Sequence, residues 1–336
     1  MSTTDKRHLD LRSLITSRNT ATVLAAAILF LIFSVTTDSF FTSFNLFNIA
    51  RTLSLYVFIA LAQALPILVA GLNISVGAIG GLATITAGHL MSNMDVAPIL
   101  AVPVSLAVGV AAGFVNGFLI TKLKLHAFII TLATSFLFTG IVYGISRGFP
   151  YTSIPESFAI IGRGRLLALP ILLWLMVITL VINGWLFRYT VFGRHMLCTG
   201  GNIDAARLSG INTDRMITWA HVLSGFYSAL AGVLWVSRMG SAQPATGQNW
   251  LLISFAVAII GGTSLSGGAI SFLAIFAGGV IMVLIRNGLI LLEANVYFEQ
   301  AFVGAIVLAT VSLGSIREII VEALKRRNAA VANRKR

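Results

Sequence analysis

Arg188-Tyr189-Thr190-Val191-Phe192-Gly193-Arg194-His195-Met196-Leu197-Cys198-Thr199-Gly200-Gly201-Asn202-Ile203-Asp204-Ala205-Ala206-Arg207-Leu208-Ser209-Gly210-Ile211-Asn212 is a polar, basic stretch in a chain that is otherwise strongly apolar. It runs on to Arg215 and separates apolar runs of about 20 residues, the length a helix needs to cross a hydrocarbon core of about 30 Å. A chain of membrane spans that keeps such a loop, with a short helix in it, usually offers that helix to a partner.

Working outward, 57% of residues are hydrophobic and 10% charged, with a mean hydropathy of +0.93. A soluble domain carries about 25% charged residues, and barrel strands would show short alternating segments. The fold class is therefore an all-α polytopic membrane protein. The apolar runs predict about ten transmembrane helices, at 20–37, 52–71, 73–91, 97–117, 126–145, 168–187, 216–236, 250–263, 269–285 and 297–314. The domains follow: a basic N-terminus at 1–19, one membrane domain at 20–314 that includes the loop at 188–215, and a basic tail at 315–336. The run at 21–36 follows Lys6, Arg7, Arg12 and Arg18 like a signal peptide. No small-residue cleavage site follows it, so it reads as a retained first helix. Cys198 is the single cysteine, which excludes an intramolecular disulfide or a thiolate cluster.

The net charge of +12 takes its meaning from where it lies. With both termini cytoplasmic, the N-terminal cations, Lys122, Lys124, Arg188, Arg194, Arg207, Arg215 and the C-terminal tail all fall inside. Arg51, Arg147, Arg163, Arg165, Arg238 and Arg286 fall outside. That is the asymmetry of the positive-inside rule. The tail then reads as an anchor to anionic membrane lipid rather than a nucleic-acid site.

Two glycine-rich clusters interrupt the apolar pattern. One is Pro66 followed by Gly71-Leu72-Asn73-Ile74-Ser75-Val76-Gly77; the other is Gly261-Gly262-Thr263-Ser264-Leu265-Ser266-Gly267-Gly268. Both read as broken helices of the kind that mark a substrate route; the second reads equally as a tight turn between two spans. Glycines at four-residue spacing (Gly109, Gly113, Gly117; Gly140, Gly144, Gly148; Gly77, Gly81) predict close helix packing. The aromatic segment at 40–50 predicts an interfacial stretch.

Catalytic chemistry finds no support. There is no phosphate-cradling Gly-x-x-x-x-Gly-Lys-Ser/Thr, no paired histidine ligands for a metal, and no Gly-x-Ser-x-Gly elbow. His89 and His221 read as bundle histidines. Glu293 and Glu299, near a span end, are weak candidates for a proton relay. The chain reads as a non-enzyme with no catalytic residues, no metal and no cofactor of its own. A transporter so equipped draws its energy from elsewhere, which returns attention to the loop.

Four stretches together resemble the permease subunits of bacterial ABC importers for monosaccharides, the branch that includes the ribose, xylose, arabinose, galactose and autoinducer-2 permeases. They are residues 71–77; Val115-Asn116-Gly117-Phe118-Leu119-Ile120 with Lys122, Lys124 and Ala127-Phe128-Ile129-Ile130-Thr131-Leu132; Phe192-Gly193-Arg194 with Gly200-Gly201-Asn202 and Ala205-Ala206-Arg207-Leu208-Ser209-Gly210-Ile211; and residues 261–268. The resemblance implies a multi-pass protein of the bacterial inner membrane, used as a dimer with a second permease copy or paralogue. It also implies a cytoplasmic ATP-binding subunit that uses ATP and Mg, and a periplasmic sugar-binding protein. The coupling helix would then be residues 202–210, with Asn202 as N-cap, Asp204 in the first turn and Gly210 just past the C-terminus. The expected ATPase-coupling residues are Gly201, Asn202, Asp204, Ala205, Ala206, Arg207, Leu208, Ser209 and Gly210. Ala205, Ala206 and Leu208-Ser209 would supply the apolar surface. Gln63, Asn73, Ser75, Asn116 and Thr131 are the polar candidates for a substrate pathway.

Two positions depart from the family pattern. Asn73 stands where an aspartate is usual, and Leu251 where a glutamate is usual. The alternative function is an ATP-independent sugar carrier, which would not need the loop.

Overall fold

The computed structural model describes residues 18–37, 39–293, 298, 300–302, 304–305 and 308. In chain order the helices are α1 (Arg18–Thr36), α2 (Ser43–Leu68), α3 (Val76–Asn93), α4 (Pro98–Leu123), α5 (Ala127–Ser146) and α6 (Glu156–Arg163). A two-stranded hairpin, β1 (Arg165–Leu166) and β2 (Leu169–Pro170), leads into α7 (Ile171–Tyr189). Then come α8 (Val191–Gly201), α9 (Ile203–Leu208), α10 (Thr213–Met239), α11 (Trp250–Ile260) and α12 (Phe272–Leu291).

Six of these (α2, α4, α5, α7, α10 and α12) are long and apolar enough to cross a membrane, and the chain is a multi-pass helical membrane protein. Helix α2 is the axis, with 89% of its apolar window buried; α4, α5 and α7 bury under a third of theirs and face outward. Helix α10 packs along α4, α3 and α2. It does so closely because Gly109, Gly113 and Gly117 of α4 meet Ala229, His221 and Thr218, and a Cβ at any of the three would clash. This is the close approach that small residues permit between spans. The ridge Gly140, Gly144, Gly148 behaves otherwise: nothing lies within 4 Å of a Cβ built on any of them.

The connections sort to two ends. At one end lie the α2–α3, α4–α5 and α11–α12 connections with α8 and α9. At the other, Arg51 Nη2 donates to the Arg163 carbonyl, Arg163 donates to the Arg238 and Met239 carbonyls, and Tyr151 bridges Ala242.

Several expected boundaries move. Residues 43–50 are the first turns of α2, capped by Thr42, not a separate interfacial segment. Arg188 and Tyr189 finish α7, and Thr213 begins α10, so the loop proper is shorter than 188–215. The expected span 250–263 is only the eleven-residue α11, roughly 16 Å long at the α-helical rise and too short to cross. Helix α6 and the hairpin lacked any apolar run that would have revealed them. The expected span 297–314, Glu299 and both terminal basic segments lie largely or wholly outside the described residues.

Candidate functional site

The structure brings the four family-like stretches into one junction. Pro66 has no N–H to give the Ala62 carbonyl, the usual cost of proline inside a helix. The Ser224 hydroxyl of α10 donates to that carbonyl instead, at 2.5 Å. Ser224 in turn accepts from Asn73 Nδ2 at 2.8 Å. Asn73 Oδ1 accepts from the Ser75 backbone N–H at 2.9 Å and the Ser75 hydroxyl at 2.7 Å, an Asx turn that starts α3. Asn116 of α4 donates to Ser75 Oγ at 2.8 Å and accepts from the Thr134 hydroxyl of α5 at 2.7 Å. The Ile74 N–H donates to Thr131 Oγ1 at 3.1 Å. Four of the five expected pathway residues thus meet in one network, and Asn73, Ser75, Asn116 and Thr131 are fully buried. They satisfy one another and so hold the α2–α3 break shut, as irregular backbone at depth requires.

Gln63, the fifth candidate, is also buried, but neither atom of its amide has a hydrogen-bond partner among the described residues. The His221 ring nitrogens are likewise without partners. His89 pairs with the Tyr151 hydroxyl at 3.1 Å.

Beneath this network sits the loop. Thr190 caps α8, and in its last turn is Gly200, where a Cβ would lie 1.7 Å from the Leu68 carbonyl oxygen and 2.6 Å from the Gly268 nitrogen. The Gly268 N–H donates to that same Leu68 carbonyl at 2.9 Å. The cluster 261–268 is therefore a turn between α11 and α12, seated on the end of α2 and on α8.

Helix α9 then projects from the body. Asn202 Oδ1 accepts from the Ala205 N–H at 2.9 Å. At the far end Gly210 has φ +81°, its N–H bonds the Arg207 carbonyl and that of Ile211 bonds the Ala206 carbonyl, both at 3.0 Å. Those two bonds form a Schellman stop. Arg207 reaches back to Asp214 at 3.6 Å and to Thr213 Oγ1 at 3.3 Å, orienting α9 on α10. The expected apolar surface needs one correction: Ala206 is buried against the body, while Leu208 is 91% exposed and Ala205 and Ile203 are also exposed. Helical periodicity turns position 206 inward and leaves 205 and 208 on the outer face.

A second feature carried no motif. After Gly240 the chain turns back and runs down α3. Ala242 lies against Gly88, the Thr246 carbonyl against Gly81 and Gly247 against Gly77. Gly247 (φ +97°) and Gly77 approach so closely that a Cβ on either would fall 2.0–2.1 Å from the other's carbonyl oxygen. Between this arm, α3 and α5 is a cavity of about 220 Å³, lined by Ser135, Thr139, Thr246, Gln248 and Leu251 among others. Nothing in the sequence pattern announced it.

The bundle and the exposed capped helix define a class, the membrane-embedded subunit of a transporter. Comparison gives the family. Residues 45–311 match the model for branched-chain amino acid transport system / permease component, and the chain belongs to this permease family. It is 34% identical to the ribose import permease protein RbsC of Haemophilus influenzae, over 86% of this chain and 90% of that protein. It is 34% identical to the L-arabinose transport system permease protein AraH of Escherichia coli K12, over 85% and 87%. The D-allose transport system permease protein AlsC of the same organism is also 34% identical, over 87% and 90%. No solved structure matches the chain.

Proposed function

We propose that the chain is the permease subunit of an ABC importer of the bacterial inner membrane, carrying a monosaccharide handed over by a periplasmic binding protein. In this reading both termini and α9 are cytoplasmic, and α9 is the coupling helix. An ATP-binding subunit that hydrolyses MgATP grips Leu208, Ala205 and Ile203. A second permease, identical or paralogous, completes the route. The single observation that carries the reading is α9 itself: six residues capped at both ends, displaying Leu208 to solvent. A lone turn of helix is unstable by itself, and a large apolar side chain held out on it suits a groove on a partner. Force on α9 passes through α8 and Gly200 to the end of α2, so nucleotide-driven motion has a rigid path to the α2–α3 break.

The test is co-purification from native membranes in mild detergent. Leu208→Glu is expected to reduce recovery of the ATP-binding subunit at least tenfold and abolish ATP-driven sugar uptake, while this chain still inserts and folds. Undiminished uptake in ATP-free liposomes by the chain alone would instead identify an ATP-independent carrier.

A further inference from the structure

The arm at 241–249 is non-helical backbone inside a membrane protein. From Gly88 to Gly77 it passes eleven residues of α3, roughly 16 Å at the helical rise, or half of a hydrocarbon core of about 30 Å. Helix α11 continues the descent from there. Such backbone survives at depth only where it is buried in protein or lines a water-filled space. Gly77, Gly81 and Gly88 bury one side of this arm, yet Gln243 and Gln248 are exposed and Thr246 is half-buried. Gln243 adjoins the Tyr151–Ala242 bridge at the end of the bundle, whereas Gln248 adjoins Gly247, which lies against Gly77 eleven residues further along α3; an exposed amide there has no stable arrangement against acyl chains. The adjoining surface of α5 is also open: among the described residues nothing lies within 4 Å of a Cβ built on Gly140 or Gly144, and the Tyr143 hydroxyl accepts from Gln248 Nε2 at 2.9 Å.

The cavity between them is chemically selective. Its lining contains the Ser135, Thr139 and Thr246 hydroxyls and the Gln248 amide, and no ionisable group. Apolar contact comes from Ile74, Val142 and Leu251. Neutral donors and acceptors opposite an apolar wall suit a neutral polyhydroxylated ligand, whose rim needs hydrogen bonds and whose C–H faces need apolar contact. A carboxylate or ammonium would find no counter-charge.

We propose that the arm and the facing surface of α5 form the sugar-contacting wall of the translocation route, with Gln248, Thr246, Ser135 and Thr139 as its hydrogen-bonding and specificity-determining side chains. This rests on the permease reading above. It also gives the Leu251 departure a place: the missing carboxylate is missing from this wall, leaving it uncharged.

The test places single cysteines at Gln248→Cys and Gln243→Cys in a Cys198→Ser background, in membranes holding the complete transporter. Both are expected to react with a water-soluble maleimide, and Gln248→Cys to be protected severalfold by whichever of ribose, arabinose or allose the wild type takes up. Labelling by a lipid-soluble maleimide alone, or by neither reagent, overturns the proposal. Gln248→Ala and Thr246→Val are expected to cut uptake about tenfold or to change the order of preference among the three sugars, with subunit assembly intact. Uptake and preference equal to wild type in both variants would also overturn it. The permease reading fails separately, if the wild-type complex imports none of the three sugars in an ATP-dependent way, whatever the labelling shows.

Discussion

The network around Asn73 and the cavity beside Gln248 are built from the same kinds of side chain, yet they answer opposite needs. In the first, hydroxyls and amides from α4, α5 and α10 and the α2–α3 break are buried and spend their hydrogen bonds on each other and on the Ala62 carbonyl freed by Pro66. In the second, half-buried hydroxyls and an exposed amide line a cavity, and the amide spends one donor on the Tyr143 hydroxyl. A buried polar group is costly only when unpaired, so satisfied clusters hold structure while unsatisfied ones that meet water are free to bind. Polarity in an apolar sequence marks both and does not tell them apart.

The largest expected effect falls where the closed junction meets the loop. Gly200→Val drives a side chain into the Leu68 carbonyl and should cost about 3 kcal/mol or more, at the upper end for overpacking. It would be read as loss of folded protein in a detergent thermal melt. Next comes Asn73→Ala, which strips partners from the Ser75 N–H, the Ser75 hydroxyl and Ser224. The expected loss is about 3 kcal/mol, taking the low end, about 1 kcal/mol, for each of the three groups because Ser224 and Ser75 keep other partners. By contrast Gln63→Leu, replacing an amide that has no partner, should be neutral or stabilising in the same melt. A large loss there would mean that Gln63 has partners in another state.

The two positions where the resemblance leads one to expect an acid sharpen the contrast. Asn73→Asp removes the donor to Ser224 and buries a charge, with an expected cost of about 1–3 kcal/mol. Leu251→Glu, at a half-buried cavity wall, should shift stability by less than about 1 kcal/mol and act on uptake instead. Equal destabilisation by both would erase the distinction between the regions. The smallest effect belongs to Gly140→Ala, where nothing opposes the new methyl. A gain of up to about 1 kcal/mol from helix propensity is expected in the melt of the isolated subunit.

Much of the architecture was legible because its causes are local. Apolar run length locates most spans, and the caps Asn202 and Gly210 read correctly because a cap depends only on residues within one turn. The four family-like stretches could be picked out one by one, but their meeting could not: Gly200 touches Leu68 across more than 130 residues. The surface of α9 was read with one error, Ala206, since which face points inward depends on where the helix docks. The arm escaped entirely. Its Gly-x-x-x-Gly partner on α3 reads the same whether the neighbour is a helix or an irregular strand of chain, and residues 250–263 read as an ordinary span.

From the sequence alone came the membrane class, the approximate spans, the exposed capped helix and the permease resemblance, because hydrophobic length and capping chemistry act over a few residues. Only the tertiary structure decided which polar side chains close upon one another and which remain open at membrane depth. That depends on which segments face each other, and here it is set by glycines whose missing side chains let distant backbones touch.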